Sequence, residues 1–208
     1  PGYMITIGIT GIIGSGKSTT SQAFAKKGIP VVDLDAVAKQ VLTLKVVHED
    51  IEREFGPGFV DNGSVVIEKL RDTVFGDKDK LRKLEAITHP RILEHLWQAI
   101  RNLENTGRKI VIVDGPLLFE TGLYKELDKT VVVTADMDII RQRLKIRGME
   151  APDIEKRISQ QIPLGEKEKV ADYVLLNNGT RDDLDREIDK LMERINEWEV
   201  RTQCTSMT

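Results

Sequence analysis

The chain has 208 residues, 40% of them hydrophobic and 31% charged, and its 31 Lys and Arg against 34 Asp and Glu give a formal net charge of −3. That is enough chain for one globular domain with a small inserted subdomain and an unstapled core, and the charge excludes a global basic field for nucleic acid. A single cysteine, Cys204 in a polar tail, excludes a disulfide framework and a cysteine zinc site, and the apolar start is too short for a signal or a membrane span.

A cytoplasmic protein with no membrane or nucleic-acid partner is therefore expected. Pro1-Gly2-Tyr3 reads as a remnant ahead of the natural start. Met4–Thr10 is a nearly continuous apolar run, the pattern of a buried parallel strand. Directly after it comes Gly11-Ile12-Ile13-Gly14-Ser15-Gly16-Lys17-Ser18, a G-x-x-x-x-G-K-S match, and then a helical pattern from Thr19 to Lys27. A strand, this loop and a helix in that order make a nucleotide-phosphate site. Small residues let the backbone curl so that successive N–H groups face an anion, and the helix opening at Lys17 adds the positive end of its dipole. Lys17 is placed to reach the terminal phosphates, and the Ser18 hydroxyl to complete a Mg2+ shell.

Ile29–Leu34 reads as the second strand, ending in Asp33 and Asp35. In a P-loop fold this strand end faces the phosphates, where a carboxylate accepts a proton from an attacking hydroxyl or holds Mg2+. Alternation puts both acids on one side if the extended chain continues. An Asp here also serves as a plain helix cap. Asp33 is read as catalytic; Asp35 stays open, because Asp35-Ala36-Val37-Ala38 looks like a helix start.

About 75 residues then pass without another strong strand, too many for an ordinary crossover. They hold Ile51–Phe55, a Gly56-Pro57-Gly58 turn, Asp61-Asn62-Gly63, and helical stretches near Ile67–Phe75 and Leu81–Leu103. We read a helical subdomain inserted over the carboxyl edge of the sheet, where substrates bind in open α/β folds; the alternative is a plain extension of the core helices. Pro90 suits the first turn of a helix Arg91–Leu103, with His89 at its cap, as a structural or a ligand-binding residue. His48 and His95 read as surface or packing residues, and three scattered histidines form no metal constellation.

Lys109–Asp114 is the third strand, and Asp114 at its end either orients metal-bound water or substrate, or caps a turn before Gly115 and Pro116. Lys129–Thr134 is the fourth. The segment Asp136–Arg147 follows, with Arg143 and Arg147 on one helix face and Arg157, Lys167 and Lys169 beyond. Alone it would be a solvated face, but between strands four and five it reads as a lid whose arginines neutralise a migrating phosphoryl group. Ala171–Asn177 is the fifth strand. A final helix, about Asp182 to Trp198, carries Leu184, Ile188, Leu191, Ile195 and Trp198 on one stripe, and Arg201–Thr208 reads as a frayed tail. The expected fold class is α/β, a P-loop NTPase-type parallel sheet of about five strands with helices on both faces. Its core takes in 1–45, 106–135 and 170–200, its helical acceptor insertion about 46–105, and its lid about 136–169.

Several motifs taken together resemble the dephospho-coenzyme A kinase family, from Ile5 to about Gly179. They are Thr10–Thr19, Val32-Asp-Leu-Asp35, Thr88-His-Pro90, Asp114-Gly-Pro-Leu-Leu-Phe-Glu120 and Arg143-Leu-x-x-Arg147, with Arg157, Gln161, Lys167, Ala171-Asp172 and Asn177 as the distal pattern. The resemblance implies ATP-dependent phosphorylation of the ribose 3′-hydroxyl of dephospho-coenzyme A, with Mg2+, by a monomer or small homo-oligomer. It puts Asp33 at the general base and gives Lys17, Arg143 and Arg147 the transferring phosphoryl. ATP falls to Gly11, Ile12, Ile13, Gly14, Ser15, Gly16, Lys17, Ser18 and Thr19, with Asn177 at the adenine end. Asp33, His89, Asp114 and Leu117 fall on the acceptor side, and Ser18 on the metal. Two positions depart from the family pattern. Ile12 stands where a second Gly is usual, so the loop must keep an ordinary backbone there; Val66-Ile67 replaces a usual Asp-Arg, for which Lys69 or Arg71 could compensate. The adenylate kinases' Asp-Gly-x-Pro is only faintly echoed at Asp114–Pro116, with Leu117 where their arginine belongs, and no guanine-reading Asn-Lys-x-Asp is present.

Overall fold

The computed structural model describes residues 4–205, with side chains described up to residue 200. Two compact units share the chain: 1–32 with 103–208, and 33–102.

The first unit is built on a five-stranded sheet in the order β2-β5-β1-β6-β7. Its strands are β1 (Ile5–Gly11), β2 (Val31–Asp33), β5 (Ile110–Asp114), β6 (Lys129–Thr134) and β7 (Tyr173–Leu176). β1 runs parallel to β5 on one side, with Ile9 opposite Asp114, and parallel to β6 on the other, with Gly11 opposite Val133. Every residue of β1 is buried, which explains its unbroken apolar run: a central parallel strand is covered on both faces. The expected P-loop-type fold class is the one observed. Each strand lies within its predicted run, give or take a residue or two at the ends.

Helices α1 (Lys17–Lys26) and α9 (Arg181–Thr205) supply much of the cover. Phe24, Leu184, Ile188, Leu191, Ile195 and Trp198 pack in one cluster with Ile5, Ile7, Ile9 and Val131. The stripe predicted for the last helix is thus its buried face. The helix does not stop at Trp198, however. It continues to Thr205, through part of the segment expected to fray, because no Gly, Pro or Asn interrupts 197–205. Residues 206–208 and the expected remnant Pro1–Tyr3 lie outside the described residues. Between β6 and β7 come α6 (Met137–Ile146), α7 (Ala151–Ser159) and α8 (Leu164–Val170). Among the described residues no helix is long and apolar enough to cross a membrane.

The second unit holds α2 (Leu34–Val41), α3 (Lys45–Phe55), α4 (Ile67–Val74), most of α5 (Lys78–Asn105) and a hairpin, β3 (Val60–Asp61) with β4 (Ser64–Val65). It has its own core of Val41, Val47, Ile51, Phe59 and Leu70. The hairpin is absent from the sequence reading because each strand has two residues, too few to show a period. Its turn was nonetheless visible: Asn62 and Gly63 both have positive φ, 47° and 74°, as a two-residue hairpin turn requires. His48 is buried with Nε2 against the Leu42 carbonyl at 2.8 Å, a packing residue as expected.

One local expectation fails here, and one open reading is decided. Pro90 does not open a helix and His89 is not a cap, since α5 runs unbroken through both. Proline costs a helix an N–H and a clash, but Leu84, Ile87 and Ile92 on either side pack against the second core and hold the helix together. The Arg91 guanidinium also reaches back to the Ile87 carbonyl at 2.6 Å while pairing with Asp50 at 2.6 Å. At Asp35, which the sequence leaves open between a strand end and a helix start, the chain does not stay extended. α2 starts at Leu34, so Asp35 lies in the first helical turn and not beside Asp33 on a strand.

Ile188 is fully buried between the last helix and the sheet. Ile188→Ala should lower unfolding free energy by about 3 kcal/mol, read as a fall in urea midpoint with unchanged slope.

Candidate active site

The phosphate loop joins the end of β1 at Gly11 to the start of α1 at Lys17. Its curl needs left-handed backbone at Gly14 (φ 84°) and Gly16 (φ 101°). At Gly16 the requirement is double, since an added Cβ would lie 2.0 Å from Asn177 Nδ2. Ile12 is buried and keeps an ordinary negative φ; among the described residues Asn62 is the one non-glycine with positive φ. The β-branched departure from the family loop is therefore accommodated without strain.

Three hydrogen bonds brace the loop, one within it and two from Asn177 and Gln161. The Ser15 N–H donates to the Ile12 carbonyl at 3.1 Å. Asn177 Nδ2 donates to the Ser15 carbonyl at 2.8 Å, and the Ile13 N–H donates to Gln161 Oε1 at 2.9 Å. Lys17 reaches across to the Asp114 carboxylate and forms an ion pair with it, the two side chains being 15% and 9% exposed. Ser18 is exposed on the first turn of α1, and Thr19 is half-buried.

A cavity of about 190 Å³ opens beside this loop, lined by Gly14, Gly16, Thr19, Arg143, Arg147 and Asn177, and continuing along Gly179, Thr180 and Arg181. Arg143 Nη2 donates to the Asn177 carbonyl at 2.8 Å, while Nη1 is buried with no partner in the protein. Burial, with the nearby Arg147 charge second, holds its guanidinium pKa below the usual arginine value. A buried donor with nothing to bond to is costly, and an anionic ligand would relieve it. Arg147, the C-cap of α6, is exposed.

Of the predicted site residues in the first unit, Gly14, Gly16, Thr19, Arg143, Arg147 and Asn177 line this cavity, the other residues of the loop 11–19 are not among its lining, and Asp114 is held on Lys17. Leu117 is 48% exposed in the turn after β5. Asp33 and His89 belong to the second unit. Asp33 is exposed, and its Oδ1 accepts from the Asp35 and Ala36 N–H groups at 2.9 and 3.3 Å; His89 is half-buried within α5. Arg157 is exposed.

Sequence reasoning missed Gly179, Thr180 and Arg181. Their signal was present as Thr180-x-x-Asp183, a capping pattern at the start of α9 in which Thr180 N and Oγ1 both bond Asp183 Oδ2 at 2.7 Å. Lys167, read from the sequence as part of the basic segment, is not on a solvated face: it is fully buried and paired with Glu120 at 2.9 Å. Asp172, another member of the distal pattern, accepts from the Thr130 N–H at 2.8 Å and the Lys129 ammonium at 3.0 Å, so it fastens β7 to β6.

The sequence profile described as Dephospho-CoA kinase matches residues 5–183. The chain belongs to the dephospho-CoA kinase family. It is 38% identical to the dephospho-CoA kinase of Aquifex aeolicus over 92% of its own length and 98% of that protein's. Against the dephospho-CoA kinase of Brucella melitensis it is 41% identical, over 91% and 94%. A crystal structure from Thermus thermophilus superposes with a TM-score of 0.82 at 35% identity, covering 92% of this chain and 98% of that one.

Gly16→Ala combines backbone strain with loss of the Asn177–Ser15 bond, together roughly 3 kcal/mol. Titration with ADP should show about 100-fold weaker binding; unchanged affinity would mean the loop does not need this conformation.

Proposed function

We propose that this kinase transfers the γ-phosphoryl group of ATP to the ribose 3′-hydroxyl of dephospho-coenzyme A, giving coenzyme A and ADP, the last step of coenzyme A synthesis. The observation that carries this reading is a family match over residues 5–183 combined with an unimpaired phosphate loop, Lys17 and Asp114 included.

Each residue has a part that its surroundings support. The loop amides and the α1 dipole hold the phosphates. Lys17 is already tethered beside the loop by Asp114; exchanging that carboxylate for phosphate oxygens needs a rotation of one side chain and keeps its charge paired throughout. Arg143, whose Nη1 has no protein partner, and Arg147 stabilise the charge on the transferring group, where fixed cations are worth most. Asn177, which already holds the Ser15 carbonyl and receives Arg143, marks the adenine end.

Mg2+ fits the donors available, since the exposed Ser18 hydroxyl is a hard oxygen ligand and Mg2+ takes few protein ligands beside phosphates and water. Ser18 would hold it, and it would supply positive charge against the phosphate oxygens. On the acceptor side we assign Asp33 as the general base, with Asp114, His89 and Leu117 contributing to binding. The helix-capping bonds of Asp33 do not oppose that role. They use Oδ1 alone, so the carboxylate is anchored in one orientation.

That geometry makes Asp33→Asn an informative variant, because Asn caps helices as well as Asp does. The α2 cap should survive while turnover falls roughly 100-fold or more, with ATP binding nearly unchanged; wild-type turnover would remove Asp33 from the mechanism. Lys17→Ala should weaken ATP use strongly. Supplied with ATP and either AMP or dephospho-coenzyme A, the enzyme should phosphorylate only the second, and transfer to AMP alone would overturn the assignment.

A further inference from the structure

The lid helices α7 and α8 are joined by a short connection, 160–163, and two neighbouring residues of it are fastened to the site in different ways. Gln161 offers its side-chain Oε1 to the Ile13 N–H of the phosphate loop at 2.9 Å, a contact between residues 148 apart in sequence. The Ile162 N–H, next along, donates to Glu120 Oε1 at 3.0 Å.

Glu120 is itself fixed. The same Oε1 pairs with the Lys167 ammonium at 2.9 Å, and Lys167 has a side-chain exposure of 0%. Lys167 Nζ also donates to the Pro116 carbonyl at 3.3 Å, and that carbonyl accepts from Thr10 Oγ1 at 3.2 Å. Thr10 is the last residue but one of β1. The connection is therefore tied by one line to the phosphate loop and by another to the strand that carries it.

A buried ion pair seldom adds net stability over apolar packing, and its better-attested use is to specify one arrangement. The arrangement specified here is the position of residue 161. With Ile162 clamped, the Gln161 amide reaches Ile13 from a fixed base, and the Ile13 peptide is turned toward Gln161. The next residue, Gly14, is one of the two left-handed glycines whose conformation forms the cradle and lines the cavity.

We propose that Gln161 is a positioning residue for the phosphate loop, linking the lid connection to the anion-binding conformation through its acceptor oxygen on the Ile13 N–H. The proposal rests on the nucleotide-site reading above, and no direct contact of Gln161 with nucleotide is implied. It follows that nucleotide affinity and lid position are coupled through residue 161, while the acceptor site is not addressed by it.

The test compares Gln161→Ala, which removes the acceptor, with Gln161→Glu, which keeps an acceptor oxygen at the same reach. Direct titration of Mg·ADP into each protein, melting temperatures without ligand, and separate KM values for ATP and dephospho-coenzyme A give the readout. Loss of one such hydrogen bond predicts ADP binding weakened roughly 5- to 10-fold in Gln161→Ala. Affinity should recover in part in Gln161→Glu, whose carboxylate restores the acceptor while its added charge opposes an anionic ligand, with the KM for dephospho-coenzyme A and the unliganded melting temperature little changed. Wild-type ADP affinity in Gln161→Ala would refute the proposal, and so would equal losses in the two variants. A lowered melting temperature with both KM values raised together would show a general structural role and also overturn it. Because ADP binding is measured without the acceptor, these outcomes stay distinct from a wrong acceptor assignment, which would leave the titrations intact and abolish only transfer to dephospho-coenzyme A.

Discussion

The ion pair between Lys17 and Asp114 is the contact around which the site is organised, and strand order produces it. β1 lies between β5 and β6, and its register sets Ile9 opposite Asp114. The Gly115 N–H then closes on the Ile9 carbonyl at 3.1 Å. A carboxylate at the end of one strand is thereby held next to the loop that leaves its neighbour. An ammonium in so enclosed a place pays for desolvation unless it has an anionic partner. Asp114 supplies that partner, and in the proposed reading phosphate oxygens take its place. The lysine is thus held beside the loop by its contact with Asp114.

The remaining features make that exchange possible. Left-handed Gly14 and Gly16 turn the amides inward, and Asn177 approaches so closely that only glycine fits at residue 16. Arg143 brings a second cation, whose Nη2 bonds the Asn177 carbonyl at 2.8 Å while Nη1 is left over. Neither cation is free to wander: one is tied to a strand end, the other to the loop after β7. Preorganisation of this kind is what electrostatic catalysis requires, since dipoles and charges already in place do not have to be arranged as the reaction proceeds.

Much of this was readable before any coordinates. The glycine loop, the strand ends bearing Asp33 and Asp114, the paired Arg143 and Arg147, and the α9 stripe all follow from local rules of spacing and alternation, and these elements carry strong periods. Most of what escaped rests on long-range contact. Pro90 looked like a helix start because local rules place proline in first turns, whereas packing of Ile87 and Ile92 against the second core overrides them. Local rules leave Asp35 open between a strand end and a helix start, and α2, beginning at Leu34, decides for the helix. The β3–β4 hairpin is too short for any periodic signal. The Glu120–Lys167 pair and the Gln161–Ile13 bond join residues 47 and 148 apart, and nothing local to either partner announces them.

The central claim is that the loop at 11–19 takes the triphosphate and that Lys17 changes partner when it does. A crystal structure with a non-hydrolysable ATP analogue and Mg2+ tests this most directly. The account predicts β- and γ-phosphates within hydrogen-bond reach of the amides of residues 14–18, with the Lys17 ammonium moved from Asp114 onto a phosphate oxygen. Phosphates bound elsewhere, or Lys17 still on Asp114 with the nucleotide in place, would contradict it.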